Sequence, residues 1–145
     1  MPAIGFISPA LYYRDANAAI AFLERAFGFR TRLLVPDETG GVAHAELTFR
    51  DSVLMVGTAK PDKGWVSPLD LTGGVSHTLA VVVEDADAHY ATACAAGAHI
   101  IRPLKTEEYG GSGYEARDTE NNIWYFGTYA PGAWWDGKTP DSHAA

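Results

Sequence analysis

SPALYYRDANAAIAFLERAFGF, residues 8–29, has a counterpart in TLAVVVEDADAHYATACAAGAH, residues 78–99. Each run holds a β-branched or aromatic strand, an aspartate, a helical stretch and then a glycine. Asp15 and Asp85 are 70 positions apart and Gly28 and Gly97 are 69 apart, so one indel separates the two copies. The aspartates stand where a helix N-cap belongs, accepting hydrogen bonds from first-turn amides that have no partner within the helix. Ile20, Leu23 and Phe27 recur at helical spacing after the first, and Tyr90, Ala93 and Cys94 do so more weakly after the second. Gly28 and Gly97 supply the left-handed residue that ends each helix.

Three strand-like runs follow each helix, at about 30–35, 42–49 and 53–57, then at 99–102, 112–117 and 122–128. The unit is βαβββ, used twice, and the expected class is α+β. The modules cover about 5–57 and 75–129 of one domain, 1–130, with a tail at 131–145. Between them, TAKPDKGWVSPLDLTGG (58–74) reads as a loop. Trp65 is unusual there, because a solvent-only loop gains nothing by exposing an indole. The chain ends in YAPGAWWDGKTPDSHAA (129–145), whose last ten residues look frayed and polar. Trp134 and Trp135 should pack on something, either a subunit or the mouth of a cavity.

At 145 residues, 47% apolar and 20% charged, the composition is that of an ordinary globular domain. The formal charge is −7, and the 11 lysines and arginines are scattered without a cluster, which argues against nucleic acid as a partner. MPAIGFISPALYY lacks the basic start and unbroken apolar run of a signal peptide. No apolar stretch approaches the roughly 20 residues of a membrane span. The expected location is cytoplasmic. Cys94 is the single cysteine, so no intrachain disulfide can form, and its setting in ATACAAGA reads as a buried structural thiol.

YYRDANAAIAFLERAFGF (12–29), AELTFRDSVLMVG (45–57) and GYEARDTENNIWYFGTY (113–129) together resemble the vicinal-oxygen-chelate superfamily, also called the glyoxalase/bleomycin-resistance/dioxygenase superfamily. The resemblance covers about residues 5–129. The last segment is similar to the family's closing hairpin, R-D-P-x-G-N, with Thr119 in place of the proline and Asn121 in place of the glycine. Asn tolerates a left-handed backbone better than most residues, so the turn can survive. The resemblance implies that each module curls into a half-barrel sheet and that paired modules enclose a cavity. The superfamily includes metal-dependent lyases, isomerases and ring-cleaving dioxygenases, and also metal-free proteins that resist antibiotics by holding them. Fold alone does not choose among these.

The metal positions implied by the resemblance fall on Ser8, Glu46, Thr78 and Tyr125, and only Glu46 is a good ligand for a divalent ion. His77 adjoins Thr78, but it lies on the side of the apolar stripe Leu79, Val81 and Val83, so a β-bulge near Gly73-Gly74 would be needed to aim it at the cavity. It reads as a hydrogen-bonding histidine at the strand end, with a ligand role as the alternative. In VAHAELTF (42–49), His44 and Glu46 project from the same face of a strand. They form either a polar patch in which His44 or Thr48 bonds Glu46, or, with His77, a two-histidine, one-carboxylate metal set.

The same alternation lines the cavity with Ser8, Ala10, Tyr12 and Arg14, then Thr78, Ala80, Val82 and Glu84, then Ile123, Tyr125 and Gly127. Leu11, Tyr13, Trp124 and Phe126 face the other way. Trp65, Tyr109 and Tyr114 are placed around this lining, with YGGSGYE (109–115) as a mobile entrance loop or an ordinary hairpin connection. The lining suits a flat organic molecule. The expected function, similar to the bleomycin-resistance branch, is metal-independent sequestration of an aromatic small molecule by a homodimer, without a cofactor. The ligand-binding candidates are Ser8, Tyr12, Arg14, His44, Glu46, Trp65, Thr78, Tyr109, Tyr114 and Tyr125. The alternative is a lyase or dioxygenase with one divalent metal ion on Glu46, completed by His44 or His77, with Glu46 as base. A third reading is a protein retained for an interaction surface around Trp134 and Trp135.

Overall fold

The sequence repeat is also a structural one. A computed structural model describes residues 5–138, and the chain divides into two compact units, Met1–Gly74 and Val75–Ala145. Residues 1–4 and 139–145, the latter including most of the expected polar tail end, lie outside the described residues.

The N-terminal unit runs β1 (Ala10–Tyr13), α1 (Ala16–Phe27), β2 (Arg30–Pro36), β3 (Val42–Phe49) and β4 (Ser52–Thr58), followed by short 3-10 turns at Pro61–Lys63 and Pro68–Asp70. The C-terminal unit repeats it as β5 (Leu79–Val82), α2 (Ala86–Ala95), β6 (His99–Thr106), β7 (Ser112–Arg117) and β8 (Ile123–Gly127). The sheets have the orders β1-β4-β3-β2 and β5-β8-β7-β6. In each, the first strand pairs parallel with the fourth and the other pairs are antiparallel. The class is α+β, with each sheet an open, curled half-barrel. None of the described helices is long and apolar enough to cross a membrane.

Both helices start as the sequence requires. Asp15 Oδ1 accepts from the Ala18 amide and Asp85 Oδ1 from the Ala88 amide, each at 3.0 Å. Gly28 and Gly97 have φ of 83° and 82°, the left-handed conformation that costs glycine nothing. The hairpin turn before β8 also holds without its glycine, for Asn121 takes φ 74°. Beside it, buried Asp118 accepts from the Glu120 and Asn122 amides, the Asn122 side chain and Trp124 Nε1 at 3.0–3.1 Å.

The two helix–sheet cores use opposite distributions of bulk. In the N-terminal unit the helix supplies it, with Ile20, Phe22, Leu23 and Phe27 buried over Ala45, Leu47 and Val56. In the C-terminal unit α2 buries only Ala86 and Ala93, and the sheet supplies Tyr114, Trp124 and Phe126. Close packing demands only that the summed volumes match across the interface. This arrangement corrects the expectation for Cys94, which is exposed. Ala93 takes the contact position on α2, and the next residue is rotated about 100° away from the sheet.

Tyr114 is corrected as well. It is fully buried, donor or acceptor to His89 Nδ1 at 2.6 Å and packed against Tyr90 and Phe126, not placed at a pocket entrance. Alternation along β7 sends Tyr114 and Ala116 to the helix and leaves Glu115 on the open face.

Candidate functional site

A cleft lies on the open face of each sheet. In the N-terminal unit Tyr12 of β1 stands opposite Gly57 of β4, where a Cβ would meet its ring at ordinary contact distance. Trp65, from the loop after β4, lies flat against Tyr12 with centroids 5.0 Å apart and ring planes 16° from parallel. This accounts for an indole in a Pro- and Gly-rich loop. Lys63 and Lys60 lie 5.0 and 5.7 Å from the indole centroid. The cleft is about 240 Å³ and is bounded by Ala10, Tyr12, His44, Met55, Gly57 and Trp65, among others.

At its side is the polar patch of β3. His44 Nε2 is 2.9 Å from Glu46 Oε2, and Arg32 Nη1 donates to Glu46 Oε1 at 2.6 Å. Arg32 was not among the residues expected here. The pairing of β2 with β3 skips it between Thr31 and Leu33, and this bulge aims it at Glu46. The hydrogen bond from His44, and secondarily the Arg32 charge, hold the Glu46 carboxyl below its ordinary range despite some burial. A base near neutrality needs the opposite shift. Both Glu46 oxygens are engaged, one by a cation, so a second cation between Glu46 and His44 would meet Arg32. Among the described residues no group of three or more His, Cys, Asp or Glu side chains is placed to hold a metal ion. Arg32 therefore stands where a divalent ion on Glu46 would add a second positive charge.

The other expected residues are dispersed. Arg14 is bonded through its guanidinium to Asp70, on the second 3-10 turn, and clasps the loop that carries Trp65 rather than lining the cleft. Ser8 is half-buried just before β1. His77 and Thr78 are exposed before β5, outside its pairing.

In the C-terminal unit the cleft is about 260 Å³ and is lined by Ala80, Val81, Val82, Tyr109, Tyr125, Tyr129, Pro131 and Trp135. Tyr125 lies across the paired glycines Gly113 and Gly127, and a Cβ at either would collide with its ring and hydroxyl. The YGGSGYE stretch thus divides in two. Its first part is the β6–β7 hairpin connection, closed by the Glu107 amide on Gly111 O at 2.8 Å, and its second part is strand β7 with a glycine that seats Tyr125. The tail takes part too. Trp134 Nε1 donates to Tyr109 O at 2.8 Å, and Trp135 packs on the Tyr109 ring at the cleft.

Beneath these rings is buried Glu107, whose Oε2 accepts from Tyr109 at 2.6 Å, Tyr125 at 2.8 Å and Arg102 Nη2 at 3.0 Å. Arg102 Nε also donates to Glu115 at 3.0 Å. Burial works to raise the Glu107 carboxyl, but the two phenols and Arg102 outweigh it and hold it below the ordinary value. Burial and the bonds to Tyr109 and Glu107 push the Tyr125 phenol far up. Glu107, Arg102 and Glu115 were missed in the sequence, although the repeat contains a signal for the last two. Arg102 lies 70 positions after Arg32 and Glu115 lies 69 after Glu46, the same offsets that relate the helix caps.

Comparison with known proteins agrees with this architecture. Residues 5–126 match the family model described as Glyoxalase/Bleomycin resistance protein/Dioxygenase superfamily. The mycobacterial protein Rv0887c, from Mycobacterium tuberculosis, is 29% identical over 124 residues, which cover 83% of this chain and 72% of that protein. The crystal structure of TioX from Micromonospora sp. ML1 superposes with a TM-score of 0.69 at 31% identity, covering 87% of this chain and 99% of TioX. The fosfomycin resistance protein FosX from Mesorhizobium loti shares the fold, with a TM-score of 0.63 at 17% identity over 89% of this chain and 95% of FosX.

Proposed function

The chain belongs to the glyoxalase/bleomycin resistance protein/dioxygenase superfamily, and from that premise we propose that it is a metal-independent binding protein that sequesters a planar aromatic small molecule. The observation that carries the reading is that each module ends its open sheet face in an aromatic-lined cleft, Tyr12 with Trp65 in one and Tyr109, Tyr125, Tyr129 and Trp135 in the other. Flat apolar walls with few, placed polar groups suit a ligand of that shape. Glu46 serves as a polar anchor held by Arg32 and His44. Superfamily members bind small molecules and often form dimers, and a cytoplasmic homodimer with an antibiotic-resistance role is the setting proposed for this one.

The alternative, a divalent-metal lyase or dioxygenase on Glu46, has the His44–Glu46 contact in its favour and the Arg32 bond against it. Two measurements separate the readings. Metal content is determined by mass spectrometry on protein purified without chelator and then challenged with Ni, Zn, Mn and Fe(II). Tryptophan fluorescence is titrated with a panel of planar aromatics. Saturable quenching without turnover and without stoichiometric metal is the expected result. About one tightly held ion per chain, lost in Glu46→Gln, would establish the metal reading instead.

A further inference from the structure

We propose that the C-terminal cleft selects planar ligands bearing a positive charge or an N–H donor, a protonated aromatic amine above all, because its polar floor offers acceptors and no free proton. The inference rests on the aromatic-binding reading above and specifies its ligand class at one site.

The floor is formed by the Tyr109 and Tyr125 hydroxyls of the lining, which close a triangle with Glu107 Oε2 buried beneath them. The phenol oxygens are 2.6 and 2.8 Å from the carboxylate oxygen and 2.9 Å from each other. An ionised carboxylate only accepts, and Tyr109 is also within donating distance of the Tyr125 hydroxyl, so both phenol protons are used inside the triangle. What remains toward a ligand is lone pairs. The phenols stay protonated through the physiological range, since burial holds both above the ordinary tyrosine value. At the Tyr109 and Tyr125 hydroxyls an anionic or acceptor-only ligand would face oxygen against oxygen.

The walls reinforce this choice. The Tyr109 ring meets Trp135 at 42° and Tyr129 at 62°, with centroids 5.2 and 5.1 Å away. Rings inclined to one another form the sides of a box rather than a single stacking slot, and the negative faces of such rings attract a cation. The nearby positive charge lies outside the cleft lining. Arg102 spends Nη2 on Glu107 and Nε on Glu115, its buried Nη1 is without a partner among the described residues, and Arg102 is not part of the cleft lining. Lys105 also acts on Glu107, but from an exposed position where water screens it.

The test compares two probes with the same three-ring frame by calorimetry, the 9-aminoacridine cation and the anthracene-9-carboxylate anion. They are titrated into the wild-type protein and into Trp65→Ala, which removes the aromatic wall of the other cleft. The amine is expected to bind roughly tenfold tighter than the acid in both proteins, the scale of one desolvated cation–π contact. Glu107→Gln should erode that preference. Ala80→Lys, at an exposed position on the cleft wall, should abolish or invert it with no change of fold. Equal binding of the two probes, tighter binding of the acid, or a preference untouched by Ala80→Lys would overturn the inference while leaving aromatic sequestration standing. Failure of the wild-type protein to bind either probe would overturn both.

Discussion

Arg32 reaches from its bulged position in β2 to Glu46 on β3, 2.6 Å from Oε1, and fixes a carboxylate that the sequence presents as a candidate ligand or base. The pair holds the Glu46 carboxylate in place and favours its charged form. Its consequence is measurable in the titration of the protein.

The Glu46 carboxyl, lowered by His44 first and Arg32 next, should titrate below the ordinary glutamate value in a carbon-13 NMR pH series. A folded-state pKa below the unfolded one stabilises the fold above the unfolded value, and that contribution disappears as pH falls through the folded value. Glu46→Gln should therefore flatten the acid limb of a urea-denaturation series below about pH 4.3, the unfolded glutamate value. Arg32→Ala should move the Glu46 titration upward. An unmoved titration would show that the pair is not formed in solution.

Tyr125 needs two glycines beneath it. Gly113→Ala forces the ring off the sheet and should destabilise the protein by about 1–3 kcal/mol, the range for overpacking. In a double-mutant cycle with Tyr125→Leu the cost of the added methyl should shrink, because the group it strikes is gone. Additive costs in thermal or urea unfolding would mean that Gly113 matters for some other reason.

Asp118 accepts four hydrogen bonds in a buried turn, including one from Trp124 Nε1. Asp118→Ala leaves several buried donors unpaired and should cost about 3 kcal/mol or more, since each orphaned group carries a penalty of about 1–3 kcal/mol. Asn121→Gly, at φ 74°, should instead be neutral or gain a few tenths of a kcal/mol. Urea denaturation of the two variants checks both signs.

Removal of the Tyr12 ring should be visible in Trp65. Tyr12→Ala strips the partner stacked at 5.0 Å, so the tryptophan emission should shift to the red and stability should fall by about 0.5–1.5 kcal/mol beyond the loss of buried area. Binding of a planar aromatic at this cleft should weaken in parallel.

Cys94 provides a direct check on the face of α2 that meets the sheet. Exposed on that helix, it should react with a thiol reagent in the native protein at a rate that denaturant does not greatly increase. Labelling only on unfolding would place it back in the core.

The short-range features of this protein were legible in its sequence. Asp15, Asp85, Gly28 and Gly97 cap their helices through bonds spanning three to six residues, and alternation along each strand correctly sent Leu11, Tyr13, Trp124 and Phe126 inward. A 70-residue offset then sufficed to read the fold twice and to recognise its family. What the sequence could not settle is who meets whom across strands. A single skipped residue in β2 brings Arg32 onto Glu46, and the β6–β7 hairpin folds Glu107 under Tyr125, 18 positions away. The weakly amphipathic α2 gave no sure sign of which face would pack, so Cys94 was assigned to the core, while Tyr114 was grouped with the glycine-rich loop instead of being read by the alternation of β7. Caps and strand alternation are set by neighbouring residues. Bulges, hairpin closure and helix rotation are set by packing the whole sheet, and the polar chemistry of both clefts depends on them.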